Sequence, residues 1–203
     1  MKILIKVSNE NRLADCDFAT AAEVDALAYW SRQIRGNRDS AAEDALEFAS
    51  LARKRWQSYL EMNRTARTVV SLKKKITSEP TAEVAMLAAV RLQRRQSARV
   101  VGFCLFRRTW CNHLILDLLA TNPSESGEVG RVGVSLVYFV ARIGELIGAP
   151  FIWGEATEGS APYYNQWFNT KDVDDLFRVD SAGYRKFTSR YLEKWRESGL
   201  PPS

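Results

Sequence analysis

Two patterns of hydrophobic residues, one with the period of a strand and one with the period of a helix, divide the first third of the chain into elements. The opening segment MKILIKVS alternates apolar and polar residues as a strand does. Ala21 to Arg35 then carries apolar residues at helical spacing. After Asp39, a favourable N-cap residue, AAEDALEFASLARKRWQSYLEM is a long amphipathic helix pattern. Residues 1–65 are therefore expected to form one strand and two helices.

From Arg67 onward the pattern changes to strands. Four β-rich segments, TVVSL, VAMLAAV, RVVGFCLF and HLILDLLA, are separated by the turn-forming segments TSEP, RRQSA and TWCN. We expect them to form a largely antiparallel meander within residues 66–123.

A helix and a parallel strand are expected next, within residues 124–168. Val132 to Gly148 is apolar nearly all round, which predicts a helix buried against the sheet, and APFIWGEA follows as a buried strand. HLILDLLA, this helix and FIWGEA make a βαβ unit, so the two strands are expected to be parallel neighbours. SAPYYNQWF is expected to be a short helix.

The last region, residues 169–203, is expected to close the sheet, with LFRVD and YRKFTSRYL supplying a strand or a strand pair. The whole chain is expected to be one α/β (α+β) domain over residues 1–203, because 203 residues suit one good-sized core. Its central sheet is expected to be mixed, mostly antiparallel and flanked by helices.

Composition narrows the class of protein. The apolar fraction of 46% is ordinary for a globular chain, and no stretch approaches the roughly 20 apolar residues of a membrane span. The N-terminal apolar run is too short for a signal peptide, and the three cysteines lack metal-ligand spacing. We therefore expect a cytoplasmic protein without a membrane segment or a bound metal.

The net charge of +5 is unevenly distributed. Residues 52–108 carry 14 Lys and Arg against 3 Asp and Glu. We interpret these cations as solvated strand ends and turns. Nucleic-acid binding through this basic segment is an alternative, although no nucleic-acid-recognition motif accompanies it.

The segment GEVGRVG, residues 127–133, places three glycines between a strand end and a helix start. The first N–H groups of a helix have no backbone partner, and glycines let a ligand approach the backbone closely. The loop is therefore a candidate cradle for phosphate oxygens, with Arg131 adding a charge-assisted contact. Its sequence and position match neither the Rossmann fingerprint nor the P-loop.

The order of these segments resembles the GNAT superfamily of acyl-CoA-dependent N-acyltransferases. RVVGFCLF, LLATNP, GEVGRVGVSLV and SAPYYNQWF resemble successive motifs of that family, and the resemblance covers roughly Val84 to Val179. The chain departs from the pyrophosphate motif, with Glu128 in place of Gln or Arg and Arg131 in place of Gly. It also carries about two extra residues before Gly133.

The resemblance implies acetyl-CoA as the cofactor, lying between splayed strands HLILDLLAT and FIWGEA. It implies backbone contacts near the end of the first of these strands, and phosphate contacts from the glycine loop and the helix start. The implied cofactor-binding residues are Leu119, Ala120, Thr121, Gly127, Gly130, Arg131, Val132, Gly133, Val134 and Asn165.

Direct attack by an amine on the thioester needs a base and an acid. Tyr163 or Tyr164 is the candidate acid for the departing thiolate, since a phenol has a pKa near 10. Asp117 and Glu155 are rival bases, because partial burial raises the pKa of a carboxyl group. The only histidine, His113, is a weaker candidate.

Strict alternation along the strand HLILDLLA determines which residues share a face of the sheet with the candidate base Asp117. It places His113, Ile115, Asp117 and Leu119 on one face of the sheet. It places the intervening residues Leu114, Leu116, Leu118 and Ala120 on the other.

The expected function is a cytoplasmic N-acyltransferase that moves an acetyl group onto a primary amine of a small molecule or a protein, as a monomer or a homodimer. The acceptor is expected between the N-terminal helices and the splayed strands, near Tyr29, Trp30, Trp56 and Tyr59. The alternatives are a GNAT-like binding module without catalysis and a nucleic-acid-binding protein.

Overall fold

The computed structural model describes residues 1–30, 39–94, 97–125, 127–171 and 173–200. Its strands are β1 (Lys2–Val7), β2 (Glu10–Phe18), β3 (Val84–Arg94), β4 (Ser97–Arg108), β5 (Leu114–Thr121), β6 (Val129–Gly130), β7 (Phe151–Glu155) and β8 (Leu176–Asp180). Its α-helices are α1 (Ala21–Leu27), α2 (Ser40–Glu61), α3 (Val69–Ser78), α4 (Val132–Ile147), α5 (Ala161–Phe168) and α6 (Ser181–Glu197).

All eight strands form one sheet in the order β6, β1, β2, β3, β4, β5, β7, β8. β5 and β7 are parallel, and every other neighbouring pair is antiparallel. The α4 crossover between β5 and β7 is the expected βαβ unit, and β3 to β5 are the expected meander. The predicted fold class, a mixed and mostly antiparallel sheet flanked by helices, is confirmed.

Apolar side chains cover both faces of the sheet. One core cluster contains α4, α5 and α6 residues such as Leu136, Val140 and Tyr184. The other contains Leu27 of α1, Trp30 and Trp56 of α2. We call these the α4 face and the α2 face. Within the described ranges, no helix combines the length and the apolar composition that crossing a bilayer requires.

The N-terminal part differs from expectation because it forms a hairpin instead of a single strand. β1 and β2 pair antiparallel from Lys2↔Asp15 to Val7↔Glu10. The turn residues Ser8 and Asn9 have φ of 49° and 68°, which is the backbone of a two-residue hairpin loop. Asn tolerates this conformation, so the SNEN segment carried a turn signal.

Two segments expected as strands are helical. TVVSL belongs to α3, where the Thr68 side chain accepts from the Ser71 N–H and the Ser71 side chain accepts from the Thr68 N–H. YRKFTSRYL lies inside α6, whose N-cap Asp180 accepts from the Gly183 N–H. The first expected helix ends at Leu27, and its expected residues 31–35 lie outside the described ranges.

A β-bulge at Asp117 breaks the strict alternation expected on β5. Leu105 pairs with Leu118, whereas Phe106 pairs with Leu116, so Asp117 is the extra residue. Leu116 packs on the α4 face, but Leu118 packs on the α2 face. The prediction for Leu118, Ala120 and Leu119 was therefore wrong, because the bulge exchanges their faces.

Candidate active site

A gap opens in the sheet between β5 and β7. The two strands pair only at Leu114↔Ile152, Ile115↔Trp153 and Leu116↔Gly154. β5 continues for five residues beyond Leu116, to Thr121, while β7 ends at Glu155. A Cβ on Gly154 would lie 2.7 Å from the Leu116 carbonyl oxygen, so the last paired position is also a very close approach. Beyond it the two strands separate.

Backbone donors of β5 line this gap. The Asn122 N–H donates to the Val101 carbonyl over 2.9 Å, which fixes the phase of the antiparallel ladder between β4 and β5. That phase directs the N–H groups of Leu119 and Thr121 away from β4 and into the gap. The Ala120 N–H is directed at β4 instead. Among the three expected backbone contacts, Leu119 and Thr121 therefore offer donors and Ala120 does not.

The glycine loop is attached to the far edge of the sheet before α4 begins. Val129 and Gly130 pair with β1, and the Ser8 N–H donates to the Glu128 carbonyl over 2.7 Å. Arg131 is the N-cap of α4 and has φ of 64°. Arg131 is thus a left-handed residue of this loop, whereas Gly130 and Gly133 do not have positive φ.

The first turn of α4 presents backbone donors that have no partner among the residues the structure describes. The Ser135 N–H donates to the Arg131 carbonyl, so the N–H groups of Val132, Gly133 and Val134 precede the first intrahelical bond. A Cβ on Gly133 would lie 3.4 Å from Trp167 and 3.6 Å from Leu119. The helix start therefore lies next to Leu119, at the end of β5 where the gap is widest.

The position of this helix start is held by close packing and by a buried hydrogen-bond network. A Cβ on Gly102 would lie 2.3 Å from Val132, so glycine on β4 allows α4 to approach the sheet. The Ser135 hydroxyl contacts the Leu4 carbonyl at 2.7 Å and the Tyr191 hydroxyl at 2.9 Å. Tyr191 also accepts from the Leu4 N–H. The network joins α4, α6 and β1.

These donors fit an acyl-CoA on the α4 side of the gap. The α4 N–H groups and the helix dipole favour phosphate oxygens, and the Leu119 and Thr121 N–H groups suit amide and thioester carbonyls. Gly127 is exposed and has no neighbour within 4 Å of its Cβ position, which leaves the loop accessible. The Arg131 side chain lines a groove with Asn11, Lys194, Glu197 and Ser198.

A polar cluster lies on the α2 face at the bulge. The Arg107 Nε lies 3.1 Å from both carboxylate oxygens of Asp117, and its Nη1 lies 2.6 Å from Glu83. The Tyr59 hydroxyl of α2 lies 3.5 Å from Glu83. Sequence analysis missed Arg107 and Glu83 because the four residues come from α2, β4, β5 and the loop before β3 and share no local motif.

Asp117 is subject to opposing electrostatic effects. Its side chain is 9% exposed, and burial raises the pKa of Asp117 above its usual value, while Arg107 and then Arg55 oppose the rise. Glu83 raises that pKa further. The resulting pKa of Asp117 is still higher than that of an ordinary aspartate, which suits a general base.

Glu155 and His113 lie on the same face as Asp117 but differ in surroundings. Glu155 is exposed at the end of β7, opposite Leu176 of β8. His113 packs edge-on against Phe151, with ring centroids 5.2 Å apart. His113 therefore lies at the start of β5, away from the gap.

The two candidate tyrosines have different environments. Tyr163 is 57% exposed, whereas Tyr164 is 5% exposed and stacks on Phe177 with a centroid distance of 4.2 Å. Burial raises the pKa of Tyr164, so the phenol holds its proton more firmly than an exposed tyrosine. Within the described ranges its hydroxyl makes no hydrogen bond. The phenol of Tyr164 is thus protonated and lies in the α4-face core, where it is able to donate a hydrogen bond to a ligand.

The amide of Asn165 makes hydrogen bonds with residues that follow α5. Its Nδ2 donates to the Val173 carbonyl, and its Oδ1 accepts from Thr170 and from the Val173 N–H. These bonds join Asn165 to the residues after α5, and its expected contact with a cofactor stays a prediction.

The four aromatic residues expected at the acceptor site differ in their exposure and contacts. Trp30 and Trp56 are buried in the α2-face core, and Tyr29 is exposed. Tyr59, through its contact with Glu83, is the one that reaches the polar cluster.

Comparisons with known proteins gave matches only among solved structures; no protein-family model and no curated protein matches the chain. An acetyltransferase of the GNAT family from Staphylococcus aureus Mu50 is 12% identical, with a TM-score of 0.46, over 83% of this chain and 99% of that chain. Another, from Listeria monocytogenes 4b F2365, is 15% identical, with a TM-score of 0.41, over 89% and 99%.

A nourseothricin acetyltransferase is 19% identical with a TM-score of 0.32, over 41% of this chain and 46% of that chain, less than half of either. Two of these three structures are from the family that the sequence motifs resemble. Identities and TM-scores this low carry no conclusion about the activity of this chain. The fold given above comes from its own strand order.

Proposed function

We propose that this chain is a cytoplasmic N-acyltransferase of the GNAT type, which transfers an acetyl group from acetyl-CoA to a primary amine of a small molecule or a protein. The observation that carries the proposal is the gap between β5 and β7, with the Leu119 and Thr121 N–H groups facing it. The free N–H groups of the α4 start lie beside Leu119. Together they offer donors for carbonyl and phosphate oxygens.

The two faces of the sheet have different tasks in this mechanism. When bound, the coenzyme supplies an acyl thioester. The first turn of α4 would hold its phosphates, and the Leu119 and Thr121 N–H groups would orient the acyl arm and stabilise negative charge on the thioester oxygen. Asp117, on the α2 face, accepts the proton that the attacking amine must lose. Tyr164 would donate a hydrogen bond to the thiolate sulfur of the leaving coenzyme.

Binding should be measured first, by calorimetric titration with acetyl-CoA and with coenzyme A. Gly127→Asp and Gly127→Asn form a matched pair, because position 127 is open and the two side chains differ only in charge. We expect Gly127→Asp to weaken coenzyme A binding by about tenfold and Gly127→Asn to leave it within about twofold. Absence of binding to the unmodified chain would refute the proposal.

A second candidate function is coenzyme A binding without catalysis. The contact of the Arg107 Nε with both carboxylate oxygens of Asp117 favours it, because a carboxylate paired with a guanidinium is a weaker base. Incubation with acetyl-CoA and a panel of primary amines, followed by mass spectrometry, separates the two functions. Acetylated amine supports the enzyme, and binding without any product supports the module.

A further inference from the structure

Three side chains of β7 point to the α2 face. Ile152 packs in the α4-face core, and the Cβ position of Gly154 lies against Leu116 and Phe177 of the same core. Alternation therefore places Phe151, Trp153 and Glu155 on the opposite face. Trp153 and Phe151 are both partly buried. Trp153 pairs with Ile115 of β5 and with Arg178 of β8.

Trp153 lies at the narrow end of the gap. Its pair with Ile115 is the rung just before the last one, Leu116↔Gly154, after which the strands separate. On the β5 side, the bulge turns both Asp117 and Leu118 to the α2 face. The end of the gap on this face is thus bordered by Leu118 and Asp117 on one strand and by Trp153 and Glu155 on the other.

An acyl group that reaches the α2 face through the gap meets this border. The phosphate donors of α4 lie on the opposite face, and the candidate base Asp117 lies on this one, so the thioester has to be presented from the α4 side. We infer that Trp153 limits the acyl chain to two carbons by closing the narrow end of the gap with its indole. The inference rests on the proposed function and adds the choice of acyl group.

The physical reason is the size of the indole and its fixed position in a strand. Each additional methylene of an acyl chain has to displace Trp153 or remain in water. One methylene in an apolar pocket changes the preference between two ligands by about tenfold. Replacing the indole by a methyl group opens apolar space of several methylenes next to Ile115, which pairs with Trp153 and is buried.

The test compares dissociation constants for coenzyme A, acetyl-CoA and butyryl-CoA by calorimetry, with no amine present. The variants are Trp153→Ala, Trp153→Phe and, as the matched control, Phe151→Ala. Phe151 is an equally partly buried aromatic residue on the same strand and face, but it precedes the first rung with β5. It packs against His113 and Arg178, away from the gap.

The unmodified chain is expected to bind butyryl-CoA at least about tenfold more weakly than acetyl-CoA. Trp153→Ala should remove that difference, Trp153→Phe should reduce it, and Phe151→Ala should retain it. Equal binding of both thioesters by the unmodified chain would overturn the inference, as would an unchanged ratio in both Trp153 variants. Neither result would affect the proposed function, whereas failure to bind coenzyme A at all would refute both.

Discussion

At the residue scale, Asp117 is in direct contact with the cation of Arg107, and the pKa of Asp117 is nevertheless raised. Burial raises its pKa, Arg107 and Arg55 lower it, and Glu83 raises it again. Tyr59 approaches the same cluster through Glu83. Because a base must be ionised to accept a proton, activity should fall as pH drops below the pKa of Asp117.

The pH profile of the acetyl transfer tests this assignment. Arg107→Gln removes the guanidinium that opposes the burial effect, so the pKa of Asp117 should rise and the acid limb of kcat/KM should move to higher pH. Asp117→Asn should lower kcat/KM by about 10² to 10⁴. Glu155→Gln is the control and should retain the profile. If the acid limb disappears in Glu155→Gln and stays in Asp117→Asn, Glu155 is the base.

The two neighbouring tyrosines allow a second matched comparison. Tyr164→Phe removes a buried hydroxyl that would stabilise the departing sulfur, so kcat should fall by about tenfold or more. Tyr163→Phe alters a hydroxyl on an exposed side chain and should change kcat by less than about twofold. Steady-state kinetics with saturating acetyl-CoA measures both. A larger loss in Tyr163→Phe than in Tyr164→Phe would contradict the assignment.

The sequence was informative where a residue's role depends on its own strand, and uninformative where the role depends on partners elsewhere. That Leu119 and Thr121 lie near the end of β5 and that α4 begins after the glycine loop follows from the element pattern, but the face of Leu119 does not. The Asp117 bulge does not, because a bulge is set by the register between β4 and β5. The bonds of Asn165 were equally invisible, since its partners belong to the loop after α5.

At the element scale, α4 depends on hydroxyl groups for its attachment to the sheet. Ser135→Ala and Tyr191→Phe each remove a buried partner from the network around Leu4, so each should lower the free energy of unfolding by about 1 to 3 kcal/mol. The double variant should lose less than the sum, because the two hydroxyls share one network. Urea denaturation measures the losses.

Thr77→Ala is the control for this comparison. The Thr77 hydroxyl is exposed and donates to the Lys73 carbonyl of its own helix, so its loss should cost less than about 0.5 kcal/mol. Losses of that size in Ser135→Ala and Tyr191→Phe would show that the network contributes little to holding α4.

A helix or strand could be predicted where its own sequence determines its conformation. The buried helix α4 and the strands β3, β4, β5 and β7 have unambiguous apolar patterns. TVVSL is β-rich, yet it is helical because the reciprocal cap of Thr68 and Ser71 fixes a helix start and Leu72 is fully buried on the inner side. Tertiary packing overrides the β preference of valine in such a short segment.

At the scale of the whole molecule, one sheet separates two core clusters, and several strands contribute to both. The chain is therefore expected to unfold in a single transition, with far-ultraviolet circular dichroism and tryptophan fluorescence changing together. Saturating coenzyme A should raise the midpoint temperature by mass action, since only the folded chain has the site. Two separate transitions would contradict the single-domain prediction.

The short pairing between β5 and β7 has a consequence for local opening. Three paired positions join a six-stranded part of the sheet to the β7 and β8 pair, so few backbone hydrogen bonds cross this junction. Amide protons of Trp153 and Gly154 should exchange with deuterium faster than those of Leu105 and Phe106, which lie between two long neighbouring strands. A ligand that contacts both the six-stranded part and the β7 and β8 pair would slow exchange most at Trp153 and Gly154, because it would hold the two parts together.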